Sequence, residues 1–361
     1  MDVAQLKETY TGKKVFLTGH TGFKGSWLLQ WLHWLGAEVR GYALPPKTSQ
    51  DLYHLIDGDA LCHSEIADIK DADAVKAAIL DFRPDFIFHL AAQPLVKLSY
   101  EIPSETFAVN AMGTAYVLDA VRQLEKPCVV VLITTDKVYE NKEWIYPYRE
   151  TDRLGGYDPY SASKACAEVV IHSYTQSFFN PKAFAQHQKA IASTRAGNVI
   201  GGGDWSADRI VPDIIRALQA QQPVVVRNPA AVRPWQHVLE PLGGYLLLGA
   251  KLAKEPLRYM GAWNFGPLAD DNKQVEDVVQ TALQVWGSGT YEKPQLTNQP
   301  HEAGLLKLDI SKAIAQLGWT PKYNAQAAIE QTIQWYKTFT KGEQDIKAFT
   351  QSQIEAYLSE A

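Results

Sequence analysis

Val15-Phe16-Leu17-Thr18-Gly19-His20-Thr21-Gly22-Phe23-Lys24-Gly25 joins a short apolar run to a glycine loop, and the loop to a helical pattern over residues 22–35. Glycines in such a loop permit a tight turn and let the backbone approach a pyrophosphate closely. The helix that follows turns its free amide groups and the positive end of its dipole toward the same anion. A glycine-rich turn on its own is often only a turn. Set between a first strand and a first helix, it reads as a dinucleotide site formed by Gly19, Thr21, Gly22, Phe23, Lys24 and Gly25.

Working outward, apolar runs at 38–44, 61–66, 85–90 and 128–134 alternate with helical patterns around 71–82 and 105–124. Buried runs separated by helices indicate a parallel sheet covered on both faces. The expected class is α/β, a doubly wound parallel Rossmann sheet. From about Ala190 the pattern loosens, with glycines at 201–203, a strand-like 223–226, a helical 238–252 and one or two amphipathic helices over 327–358. We expect residues 1–189 to form the dinucleotide-binding domain and 190–361 mainly a smaller lobe, interleaved with the first. Trp27, Trp31 and Trp34 fall on one helical stripe and are expected in the core.

A chain of 361 residues with 46% hydrophobic residues supports a large core. Its net charge of −5, without a long basic run, argues against nucleic-acid and anionic-membrane partners. Three scattered cysteines, Cys62, Cys128 and Cys166, read as core residues in a reducing compartment, not as disulfides or a metal site. Residues 1–14 lack a signal-peptide pattern, and no apolar run is long enough to span a bilayer; the expected location is the cytoplasm.

The end of the second strand, Gly41-Tyr42-Ala43-Leu44-Pro45-Pro46, lacks the acidic residue that usually holds the adenosine ribose of NAD. It also lacks an arginine for an extra phosphate, and Lys47 reads as a solvated loop residue, so NAD is expected over NADP. Asp68 and Ile69 are candidate adenine contacts. Leu90, Ala91 and Ala92 end the fourth strand with mostly small side chains against which a dinucleotide can lie. Asn110 either orders a water or the backbone, or is an ordinary helix residue.

Tyr160 and Lys164 stand one helical turn apart. A neighbouring ammonium and a cationic nicotinamide favour a phenolate, which accepts a hydroxyl proton as hydride leaves the same carbon. Thr135, at the end of the preceding strand, adds a hydroxyl that can bind the reacting oxygen. YxxxK alone is common; in this order after a glycine loop the three residues are specific. Asp136-Lys137 places an extra acid and an extra amine beside them.

On these motifs the chain resembles the extended short-chain dehydrogenase/reductases that act on nucleotide sugars. In their 4,6-dehydratases the threonine is followed by Asp and usually Glu. Thr135-Asp136-Lys137, with Thr-Gly-His-Thr-Gly-Phe-Lys-Gly-Ser-Trp at 18–27 and Arg-Ala-Gly-Asn-Val-Ile-Gly-Gly-Gly-Asp-Trp at 195–205, resembles the CDP-glucose branch. The resemblance implies a lyase of deoxysugar and lipopolysaccharide O-antigen biosynthesis, with NAD as a regenerated cofactor. CDP-glucose would be oxidised at C4 by Tyr160, lose water across C5 and C6, and receive hydride at C6. Asp136 would act as the acid at C6, in its protonated form. Lys137 would act at C5 as a neutral base, or stay charged and stabilise the C4 enolate. Asn198, Arg209 and Arg233 would hold the nucleotide sugar, Arg233 forking onto its pyrophosphate. Arg209 has Asp208 and Asp213 as alternative partners. A homodimer or homotetramer is expected. A 4-epimerase, or a non-catalytic dinucleotide sensor, is the alternative reading.

Overall fold

The computed structural model describes residues 2–271, 273–294 and 305–360. Its centre is a seven-stranded sheet: β1 (Lys14–Thr18), β2 (Glu38–Ala43), β3 (His63–Ile66), β4 (Phe86–His89), β5 (Cys128–Ile133), β6 (Lys189–Ala196) and β7 (Gly261–Phe265). Every neighbouring pair is parallel, in the order β7-β6-β5-β4-β1-β2-β3, so the direction of winding reverses between β1 and β4. In such sheets the crevice at the reversal, beyond the strand ends, is where ligands bind.

The strands bury both faces because their side chains alternate. Val15, Leu17, Val129 and Val131 enter one core, with Trp27, Trp31 and Leu246 from α2 (Phe23–Trp34) and α7 (Leu239–Lys254). Phe16, Val130 and Leu132 enter the other, with Val75, Val117 and Ile171 from α3 (Ala72–Phe82), α4 (Gly113–Gln123) and α5 (Pro159–Ser177). α1 (Val3–Tyr10) packs on α7, and Tyr10 donates to Leu246 O at 2.7 Å. Two helices, α8 (Ala325–Lys341) and α9 (Ile346–Ser359), fill the C-terminal span. Among the described residues no helix is long and apolar enough to cross a membrane.

Three expectations are corrected. The helix expected over 105–124 is interrupted by a wider turn, Ala108–Met112, with Asn110 inside it. Such single wide turns within a helix are frequent at functional sites. Cys166 is exposed and Cys62 half-buried; only Cys128 is in the core. Tyr160, Lys164 and Glu168 take the inner face of α5, which turns Cys166 outward. Trp27 and Trp31 are fully buried, whereas Trp34 is half-buried under the Lys7 ammonium, 4.5 Å from its ring.

Candidate active site

The glycine loop is built around close contacts. Gly19 has φ +75°, and a β-carbon on it would fall 2.8 Å from Ala91 N and 2.9 Å from Leu90 C. One on Gly25 would fall 2.0 Å from Gly19 O, so this glycine lets α2 close onto the loop. Thr21 Oγ1 donates to Leu44 O at 2.8 Å and ties the loop to β2. Gly22 caps α2 without a side-chain hydrogen bond, leaving first-turn amides open to an anion. Ala91 and Ala92 lie alongside, and Phe23 reaches Gly201. A glycine cradle, an uncapped helix start and small flanking residues fit a dinucleotide. Of the two expected adenine contacts, Asp68 accepts from Lys70 N at 2.9 Å, while Ile69 is buried against Gly113. His20, hydrogen-bonded to Ser64, fills the space that a side chain on Gly41 would need.

Lys24 turns inward, away from the loop. Its ammonium donates to the Tyr245 hydroxyl at 3.2 Å. Burial first, then Lys164 and Arg209, push its pKa down to about 7, while Asp136 pulls the other way.

Pro159 in the first turn and the Asp158 side chain, accepting from Ser161 N at 2.9 Å, start α5. Ser99 Oγ accepts from Tyr160 N at 3.1 Å. Asn110 accepts from Gln93 N at 2.9 Å and donates to Gln93 O at 3.1 Å and Ser163 Oγ at 2.8 Å, so it orders backbone around the helix start. Lys164 donates to Ile133 O at 3.1 Å; burial lowers it to about 8, and Glu168 opposes the shift. Tyr160 is pushed up to about 12 by burial, against a lowering contact with the Thr135 hydroxyl; Asp136 adds to the rise and Arg209 opposes it. In the free protein, desolvation therefore outweighs the phenolate-favouring neighbours expected from sequence.

Thr135 Oγ1 donates to Asp136 Oδ1 at 2.9 Å, and Asp136 is 1% exposed. Lys137 is half-buried in the single turn Asp136–Val138, and no hydrogen bond or ion pair among the described residues engages its ammonium. Asp136 lines a pocket with Gly197, Pro234, Gln236, Pro267 and Leu308. Asn198 (φ +48°) and Arg233, both half-buried, are the chain neighbours of two of these residues.

Arg209 pairs with neither expected aspartate. It binds Asp204 at 2.7 Å, because Asp208 is taken by Lys97 and Arg227 and Asp213 by Arg216. The charge of Arg209 still reaches Tyr160. Gly201, Gly202 and Gly203 are buried, and β-carbons on them would meet Val238, Trp335 and Leu52. These glycines make room for the side chains packed against them. Asn264, within β7, donates to Tyr148 O and Asp309 O.

Sequence reading missed the layer beneath. Glu168 binds Arg195 at 2.8 Å and accepts from Thr134 and Ser193. Arg195 lies 5.0 Å from the centre of the Tyr139 ring, which stacks on Tyr148, which stacks on Trp144. Glu168 was legible as one turn beyond Lys164. Arg195 and Gly197 fall in the motif at 195–205 without a role of their own, and nothing local marked Tyr245.

The chain from 16 to 332 matches the family model described as GDP-mannose 4,6 dehydratase. The CDP-glucose 4,6-dehydratase of Salmonella typhimurium is 47% identical over 353 residues, covering 98% of each chain. The CDP-paratose 2-epimerase of Salmonella typhi is 24% identical, covering 89% of this chain and 98% of its own. Among solved structures, the dTDP-glucose 4,6-dehydratase of Streptomyces venezuelae with NAD bound aligns with TM-score 0.76 at 21% identity, over 92% of this chain and 99% of that one. The UDP-glucose 4-epimerase of Thermus thermophilus in complex with NAD aligns with TM-score 0.74 at 25% identity, over 90% of this chain and 99% of that one. A winding reversal over a glycine cradle, Tyr160 with Lys164 on one helix face, and a match over most of the length converge: this chain belongs to the GDP-mannose 4,6 dehydratase family, within the extended short-chain dehydrogenase/reductases.

Proposed function

We propose that the protein converts CDP-glucose to CDP-4-keto-6-deoxyglucose and water. The observation that carries this reading is Asp136, a buried carboxyl hydrogen-bonded to Thr135 and lining a pocket with Gly197 and Gln236. A 4-epimerase needs Thr135, Tyr160 and Lys164 but has no use for that acid, and a sensor needs none of the four. The 47% identity to a CDP-glucose 4,6-dehydratase supports the nucleobase.

NAD, when bound, would supply the reversible hydride acceptor that links oxidation at C4 to reduction at C6. The chain's residues do the rest. Tyr160 takes the C4 hydroxyl proton, Thr135 holds the oxygen, and Lys164 keeps the phenol oriented and offsets its charge. The new ketone acidifies C5–H. Lys137 serves the C5 step as base or as enolate stabiliser. Asp136 protonates the departing C6 hydroxyl. Arg233, Arg209 and Asn198 hold the diphosphate and sugar, which for Arg209 means turning from Asp204. Asp68 and Ile69 would hold the adenine end of NAD, and Leu90, Ala91 and Ala92 would flank the dinucleotide. Residues 1–189 and most of 190–361 divide cofactor and substrate binding between them. Exposed Val169 on α5 and Met112 before α4 suit a homodimer through those helices, which size-exclusion with light scattering measures. The free cysteines suit the cytoplasm.

Incubation with CDP-, UDP-, GDP- and dTDP-glucose in D₂O tests the assignment. The 4-keto-6-deoxy product is expected from CDP-glucose, with deuterium at C5. An epimerised hexose formed without loss of water would overturn it.

A further inference from the structure

Gly197 follows β6, and its backbone does not ask for glycine: it is absent from the positive-φ positions of the described residues. What glycine supplies is room. A β-carbon there would fall 1.9 Å from Oδ2, 2.1 Å from Cγ and 2.5 Å from Oδ1 of Asp136. The carboxyl group rests on the α-carbon of Gly197 and is held on its other side by the Thr135 hydroxyl at 2.9 Å. Gln236 fixes the floor beneath it, donating to Gly197 O at 2.9 Å and Phe265 O at 3.2 Å. Asp136, Gly197 and Gln236 line one pocket.

We propose that Gly197 is a positioning residue for the dehydration half of the reaction, seating the Asp136 carboxyl where it protonates the leaving C6 hydroxyl. The inference rests on the dehydratase reading above. In the step it serves, the C5 proton passes to the base, and the C5–H electron pair becomes the C5=C6 bond. The C6–O bond breaks, and the hydroxyl leaves as water with the Asp136 proton. The three atoms nearest to a Gly197 β-carbon all belong to Asp136. A methyl group at 197 therefore presses first on the acid.

The test uses full-length Gly197→Ala loaded with NAD and given CDP-glucose. Reduced-nicotinamide absorbance is expected to accumulate, because C4 oxidation continues, while the 4-keto-6-deoxy product forms at least about 100-fold more slowly. Adding Gly197→Ala to Asp136→Ala is expected to cost nothing further, since the two changes disable one function. Unimpaired dehydration by Gly197→Ala, equal slowing of oxidation and elimination, or a further loss in the double variant each refutes the proposal. Should Gly197→Ala melt early, Gly197→Ala/Asp136→Ala must melt with Asp136→Ala; if it does not, Gly197 serves something other than this contact. Wild-type protein that forms no 4-keto-6-deoxy sugar from any of the four nucleotide sugars would instead remove the dehydratase reading itself.

Discussion

Glu168 and Arg195 form a bidentate ion pair, Oε2–Nη2 2.8 Å and Oε1–Nε 3.0 Å, in which each side chain is 4% exposed. Glu168 also accepts from Thr134 Oγ1 at 2.6 Å and Ser193 Oγ at 2.9 Å. One carboxylate thus fastens the helix that bears Tyr160 and Lys164 to the strand end that leads into Thr135 and Asp136.

Glu168→Gln keeps the shape but leaves the Arg195 guanidinium buried without a counterion. A stability loss of about 3–5 kcal/mol is expected from urea unfolding. A loss below about 1 kcal/mol would mean that Tyr139 and the backbone suffice to hold that charge.

Tyr160→Phe removes the hydroxyl and little else, since the ring is buried and its neighbours stay packed. Turnover is expected to fall by roughly 10²–10⁴-fold, with NAD affinity from calorimetric titration almost unchanged. Equal losses in turnover and NAD binding would give Tyr160 a structural part instead.

Gly19→Ala meets two obstacles, a left-handed backbone and the backbone of residues 90 and 91 at 2.8–2.9 Å. The conformational strain alone costs about 1–3 kcal/mol. Both the melting temperature and NAD binding should drop, and loss of only one would separate the turn from the cradle.

Glu240 gives a pH dependence of definite sign. Buried in α7, it accepts from Lys322 N at 2.9 Å, Tyr323 N at 2.7 Å and Tyr357 OH at 2.9 Å. Burial, against those hydrogen bonds, raises it from 4.5 to about 7. Between those values the folded state binds the extra proton, so this group's contribution to stability is full below the lower value and is lost as pH rises through the upper. Glu240→Gln, which can keep all three contacts, should flatten that part of the melting-temperature profile relative to wild type. An unchanged difference between the two proteins across the window would show that Glu240 titrates elsewhere.

The features legible in the sequence are those whose residues are neighbours in the chain. The loop at 19–25 announces itself through spacing after an apolar run, and Tyr160 with Lys164 through one helical turn. β1, β2, β4 and β5 follow from apolar runs, whereas β3 is half-polar and was placed two residues early. Asn110 is legible as a residue that orders backbone, but its partners Gln93 and Ser163 are not, because they meet it across space. The partner of Arg209 was misjudged because proximity in sequence favoured Asp208 and Asp213, and folding gave both to other cations. Gly197 is silent for a plainer reason: what matters there is a missing methyl group, whose meaning depends on a carboxyl delivered by another strand.

The chain leaves the sheet at the end of β6 and returns as β7, directly beside it, with Gly261 aligned to Ala192 and Phe265 to Ala196. Between these strands lie Gly197, Asn198, Arg209, Arg233 and Gln236, followed by α7, which carries the chain back. The span from β6 to α7 is thus a cassette held at both ends by a fixed frame. Insertions, deletions and recombination within it can redraw what the pocket admits while the sheet and the Tyr160 helix are inherited intact. A family laid out this way can diversify its substrates faster than its chemistry.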